Sequence, residues 1–296
     1  MSGTSEAAVT RHPGDALPDV VGVVGGGRMG SGIAHAFLTG GSRVVLVEAG
    51  ADRTTAARDA VTAAVHRSVQ RGTVTAEPDA VLGNLTVTTD TASLAGAGLA
   101  IEAVPEDPDL KRAVLAAIAD AVGHTTVIAS NTSSLSIAGL AQGIPSPQRF
   151  LGLHFFNPVP ASALIEVVVS AATSQDTVAA AQRWVAALGK TAVTVADSPG
   201  FASSRLGVLL GLEAIRMVEQ GVASPADIDA AMTLGYKHPV GPLRLTDLVG
   251  LDVRLGVAEY LHSMLGERFS PPQLLRDMVS RGEVGRKSGR GFYDWA

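Results

Sequence analysis

Apolar and polar positions along this chain fall into short blocks whose period changes from one block to the next. Residues 20–24 are an apolar run that breaks into glycines, residues 33–38 carry apolar side chains at helical spacing, and residues 44–47 are a second apolar run closed by Glu48. Short apolar runs bounded by turn residues predict buried strands, and a spacing of three and four predicts helices. The same reading predicts a helix over 52–71, strands over 86–88 and 99–101, and an amphipathic helix over 109–122. Strands follow over 126–129, 150–156 and 164–169, then a helix over 175–188 and a last strand over 191–195. This alternation predicts an α/β fold built on a doubly wound, mostly parallel sheet.

The pattern changes at Asp197-Ser-Pro-Gly200. Ser198 is placed to cap a helix with Pro199 in its first turn. Helical spacing then runs from 201 to 234, with a break near Gly221 and a restart at Ser224-Pro225, and two more helices are expected over 250–266 and 271–281. The expected organisation is a disordered lead-in over 1–17, a nucleotide-binding domain over 18–199 and an all-helical domain over 200–296. The lead-in is polar and lacks the apolar core of a signal peptide.

The first block carries the most specific chemistry. Gly25, Gly27 and Gly30 have the spacing GxGxxG, at the junction of a strand and a helix, and Glu48 follows about 20 residues on, after the second strand. That is the Rossmann-type dinucleotide fingerprint. Gly25 permits the tight turn, Gly27 lets backbone N–H groups approach a pyrophosphate, and Gly30 lets the helix pack on the strand. The helix N-terminus adds partial positive charge. Glu48 suits the adenosine ribose hydroxyls and repels a 2′-phosphate, which favours NAD over NADP; FAD shares the fingerprint and stays open at this point.

Composition narrows the partners. The net charge of −5 and a pI near 5.8 argue against a broad nucleic-acid or anionic-membrane surface. There is no cysteine, so disulfides and thiolate chemistry are ruled out. No apolar run approaches membrane-span length, and the expected location is cytoplasmic. No His, Asp and Glu spacing resembles a metal site.

Polar residues at the carboxyl ends of strands face the ligand crevice of such a sheet, and Ser133, His154 and Glu166 fall at or near predicted strand ends. A carboxylate inside the apolar run 164–169 needs a partner, and His154 is the natural one. A carboxylate on one ring nitrogen fixes the tautomer and raises the basicity of the other, giving a general base without a metal. The alternative is an edge-strand acid and a satisfied core histidine. Arg67 and Arg71 lie four apart on one helical face, which suits phosphate groups or a solvated surface equally. The remaining histidines, His12, His35, His66, His124, His238 and His262, are read as structural or surface residues.

Several motifs together resemble the L-3-hydroxyacyl-CoA dehydrogenase family, including its 3-hydroxybutyryl-CoA members. They are Gly25 to Gly32, Glu102-Ala-Val-Pro-Glu106, Ser130-Asn-Thr-Ser-Ser-Leu135, Gly152-Leu-His-Phe-Phe-Asn-Pro-Val-Pro160, Asp197 to Phe201, Gly241-Pro242 and Gly289 to Tyr293, in family order. The resemblance implies an NAD-dependent oxidoreductase of fatty acid metabolism that oxidises (3S)-3-hydroxyacyl-CoA to 3-oxoacyl-CoA. It implies His154 as general base, Glu166 as its orienting acid and Ser133 on the substrate oxygen. Arg28, Met29, Glu106, Lys111, Asn157 and Lys287 join Gly25, Gly27, Gly30 and Glu48 at the cofactor. Arg71, with Arg67, stands near a CoA-binding lysine.

One position departs from the family. Ser204 stands where an asparagine is common, so the Ser204 hydroxyl, a water it holds, or Ser203 takes that part. The resemblance also implies a homodimer through the helical domain, and the length suggests a stand-alone enzyme without a hydratase domain. The alternatives are a related hydroxy-acid dehydrogenase, acting on L-gulonate or 3-hydroxyadipyl-CoA, and a nucleotide-binding protein that has lost turnover through the change at Ser204.

Overall fold

A computed structural model describes residues 17–295, so the lead-in up to residue 16, with His12, lies outside the described residues. The described residues divide into two compact units, one up to Asp197 and one from Ser198 on.

The first unit is an eight-stranded sheet with helices between its strands. In chain order it runs β1 (Val20–Val24), α1 (Arg28–Thr39), β2 (Arg43–Val47), α2 (Ala51–Gln70), the short α3 (Pro78–Leu82), β3 (Leu85–Thr88) and β4 (Leu99–Glu102). Then come α4 (Pro108–Ala121), β5 (Val127–Ser130), α5 (Ile137–Leu140), β6 (Phe150–Phe155), β7 (Leu164–Val169), α6 (Gln175–Ala187) and β8 (Thr191–Ala196). The strand order is β3-β2-β1-β4-β5-β6-β7-β8. All pairs are parallel except β6 with β7. The sequence pattern gave no sign of that reversal, but the connection explains it. Residues 156–163 contain no helix, and a parallel return needs a crossover of a dozen or more residues. β7 therefore runs back along β6, and Glu166 lies inside its strand instead of at a carboxyl end.

The central strands are apolar on both faces because helices cover both. Val21, Val23, Leu46, Leu99 and Ile101 are wholly buried, as expected of a doubly covered parallel sheet. Leu17 packs against the same core.

The second unit is helical: α7 (Ser203–Glu219), α8 (Pro225–Ala230) continuing into a π-helical turn (Ala231–Gly235), α9 (Pro242–Val249), α10 (Leu251–Leu265) and α11 (Gln273–Ser280). Its core gathers Leu212, Ile215, Leu243, Leu251, Leu261 and Leu275. Two expectations are corrected here. Ser198 does not cap a helix: the Phe201 N–H reaches its carbonyl in a turn, and Gly200 and Phe201 both take positive φ (75° and 52°). A helix cannot pass through two left-handed residues, so α7 starts at Ser203. Second, α9 fills a stretch with no assigned element. Its N-cap is Gly241; the cap comes from Asp229, whose carboxylate accepts from Leu243 N–H and Arg244 N–H. A cap supplied from 14 residues upstream leaves no local signature.

Candidate active site

The phosphate turn is built by contacts that only glycine allows. Gly25 has φ +98°, and a Cβ on Gly30 would run into the Gly25 carbonyl oxygen. Gly27 is different: a Cβ there would meet nothing within 4 Å. It would project into the open space before the N-terminus of α1, where no side chain caps the helix amides. That space, with its unclaimed donors, fits the phosphates of a dinucleotide. Glu48 sits beside it. One of its oxygens accepts from Gly26 N–H at 2.5 Å and the other from Ala49 N–H at 3.1 Å, and each retains a lone pair for a ribose hydroxyl. Arg28 is exposed. Met29 packs its side chain on the core.

β6 and β7 bring His154 and Glu166 into direct register as a cross-strand pair. His154 Nδ1 lies 2.7 Å from Glu166 Oε2, with Glu166 only 1% exposed. The Phe156 ring packs on the imidazole, centroids 4.3 Å apart. A carboxylate at this distance suits the tautomer in which Nδ1–H donates to it and Nε2 carries the ring's lone pair. Antiparallel pairing, and not two strand ends, makes this contact. Asn131 fixes the end of the strand, its Oδ1 accepting from Phe155 N–H at 2.9 Å.

Ser133 lies on the loop after β5, and Glu106 holds that loop. Its Oε1 accepts from Thr132 Oγ1 (2.6 Å), Ser133 N–H (2.9 Å) and Ser133 Oγ (3.1 Å). Burial works against the charged form of Glu106. The Lys111 ammonium and the bonds from Thr132 and Ser133 outweigh it and hold the carboxyl below its ordinary value. Lys111 does not lie open to a cofactor. It is 1% exposed, and its Nζ is shared between Glu102 (2.8 Å), Glu106 (3.3 Å) and the Val104 carbonyl (3.1 Å), so it reaches the crevice through Glu106. The far end of the serine loop is tied by Asp197, which accepts from Ser136 Oγ, Ile137 N–H and Ala138 N–H. Glu102 and Asp197 each open a motif named above but were given no role of their own from sequence. Glu102 had the same signal as Glu166, an acid at an apolar strand; nothing local tied Asp197 to partners about 60 residues away.

Arg67 and Arg71 are both exposed at the end of α2, Arg71 as its C-cap, where cations also favour the helix dipole. Asn157 is exposed just after β6. In the second unit, Ser204 is the second residue of α7 and partly buried. Lys287 lies on a 3₁₀ turn and pairs with Asp252 at 2.5 Å. Among the described residues no group of three or more His, Cys, Asp or Glu is placed to hold a metal, and no helix is long and apolar enough to cross a membrane.

Residues 20–198 match the NAD binding domain of 3-hydroxyacyl-CoA dehydrogenase, and residues 200–295 match its C-terminal domain. A 3-hydroxybutyryl-CoA dehydrogenase of Mycobacterium tuberculosis is 44% identical over 93% of this chain and 98% of its own. The crystal structure of M. tuberculosis FadB2 superposes with a TM-score of 0.91 at 43% identity, covering 94% of this chain and 99% of the other. That of (S)-3-hydroxybutyryl-CoA dehydrogenase PaaH1 from Ralstonia eutropha gives 0.89 at 39% identity, covering 95% and 100%.

Proposed function

The chain belongs to the 3-hydroxyacyl-CoA dehydrogenase family, and from that premise we propose that it interconverts short-chain (3S)-3-hydroxyacyl-CoA, such as 3-hydroxybutyryl-CoA, and the 3-oxoacyl-CoA. NAD is its cofactor. The observation that carries the reading is the buried His154–Glu166 pair. His154 Nε2 takes the proton of the 3-hydroxyl, and in the reverse direction the imidazolium returns it. Glu166 stabilises that imidazolium through Nδ1. When bound, the nicotinamide takes up or supplies the hydride at C3.

The phosphate turn and Glu48 hold the adenosine end, with Glu48 disfavouring a 2′-phosphate. Glu106, Asn157 and Lys287 serve the nicotinamide end. Ser133 and Ser204 steady the reacting oxygen, and Arg67 and Arg71 receive the CoA phosphates. Exposed Leu206 and Leu209 on α7, with Leu245 and Val249 on α9, support a homodimer through the helical unit; a monomer by light scattering would overturn that part. The working location is the cytoplasm, consistent with the acidic, cysteine-free composition.

The test is the loss of NADH absorbance with acetoacetyl-CoA, run in parallel with NADPH and with Ser204→Ala. Turnover with NADH well above NADPH, slowed in Ser204→Ala, is expected. No turnover with acetoacetyl-CoA, alongside oxidation of L-gulonate, would replace this reading with the free-acid alternative.

A further inference from the structure

A wholly buried carboxylate is costly unless it is paired and hydrogen-bonded. Glu102, 0% exposed at the last position of β4, satisfies that condition in an informative way. Oε2 accepts from Ser130 Oγ at 2.5 Å, across from it in register at the last position of β5. Oε1 accepts from Val104 N–H at 2.7 Å and from Lys111 Nζ at 2.8 Å. One side chain thus ties together two adjacent strand ends, the turn that leads to Glu106, and the ammonium that Glu106 also uses. The turn itself abuts the phosphate loop, since a Cβ on Gly25 would touch the Ala103 carbonyl.

Holding strands together does not require charge, and an apolar pair would do so at no desolvation cost. What charge adds is a field. Two carboxylates share one ammonium, so Glu102, Lys111 and Glu106 carry one net negative charge. Of the three, only Glu106 reaches the surface, with its side chain 35% exposed.

We propose that Glu102 is a positioning residue that, through Lys111 and Glu106, fixes one net negative charge beside the nicotinamide and so favours the oxidised, positively charged cofactor over the reduced one. The inference rests on the reading that Glu106 lines the nicotinamide.

The experiment is titration of the full chain with NAD+ and with NADH by calorimetry, giving the ratio of the two Kd values. Glu102→Gln keeps the shape and removes the charge, its amide oxygen still accepting from Val104 N–H and Lys111 Nζ and its NH2 donating to Ser130 Oγ, and its ratio of Kd(NAD+) to Kd(NADH) should rise about fivefold, the order expected for one partly screened charge. Glu102→Asp keeps the charge and disturbs the geometry; both affinities should fall with the ratio unchanged. Equal weakening of NAD+ and NADH in Glu102→Gln would make the residue a structural tie only and overturn the proposal. If Glu102→Gln does not fold, Glu106→Gln decides, because it removes the same net charge from a partly exposed site. A raised ratio supports the proposal and an unchanged one sinks it. Wild-type chain that binds neither form of the cofactor would instead sink the functional reading beneath it.

Discussion

Glu166 and Asp247 are equally buried, each 1% exposed, yet they do different work. Glu166 faces an imidazole, a group that can take and return a proton. Asp247, in the helical unit, accepts from Phe292 N–H, Tyr293 N–H and Trp295 Nε1, all at 2.8–2.9 Å. None of those donors titrates in the working range. Its neighbour Asp229 is likewise committed, to the amides capping α9 and to the Tyr293 hydroxyl. Burial therefore marks both sites as important without saying for what. The partner decides: a carboxylate that holds only amides is a fastening, and one that holds an imidazole has a partner able to carry a proton.

This contrast can be broken most sharply at His154. His154→Ala should lose about 100- to 10,000-fold in kcat while still binding NADH; near-normal turnover in folded enzyme would remove the proton path altogether. Asp247→Ala should act on the other axis. It strands three part-buried donors and should cost about 3 kcal/mol of unfolding free energy, read by urea denaturation, with kcat of the folded fraction little changed. Glu166→Gln should give the mirror result, kcat down at least about tenfold and a shifted pH–rate profile over a nearly unchanged denaturation midpoint. If Glu166→Gln unfolded the chain and Asp247→Ala slowed catalysis, the division would be reversed.

The smallest effect is on acid stability. His35 bonds Ser68 Oγ through Nε2 at 2.8 Å, and its Nδ1 is buried with no partner among the described residues. Burial first, then the charges of Arg67 and Lys190, hold its pKa below the ordinary 6.5. Unfolded chain takes up that proton first, so the His35 contribution is complete above pH 6.5 and lost as pH falls toward the folded value. Glu106, also lowered, repeats this below its ordinary 4.5. The melting temperature should therefore fall in two stages on acidification, and His35→Gln should abolish the first. An unchanged first stage in that variant would assign it elsewhere.

Much of this was legible because it depends on neighbours in sequence. The glycines of the phosphate turn, the apolar strands and the likeness carried by residues 152–160 are all local signals. The His154–Glu166 contact was legible from chemistry, since an acid in an apolar strand must be answered. Its geometry was not, because nothing in residues 156–163 announces that β7 turns back. Remote caps were illegible for the same reason. Asp197 closes the start of α5 and Asp229 the start of α9, each from far outside the helix it serves. Glu102 was passed over although it obeys the same rule as Glu166, its motif being read through Glu106 alone.

The fastening at Asp247 also sets an order of assembly during synthesis. All eight strands of the nucleotide unit, and the Asp197 that closes its serine loop, lie before residue 198. That unit has what it needs to fold while the rest of the chain is still on the ribosome. The helical unit does not. Until residues 292–295 have emerged, Asp247 is a carboxylate without donors at the heart of a nascent core, and helices already made cannot close around it. Residues 292–295 thus act as a completion check on the helical unit, and chains stalled short of them should stay open to pulse proteolysis there while the strands are already protected.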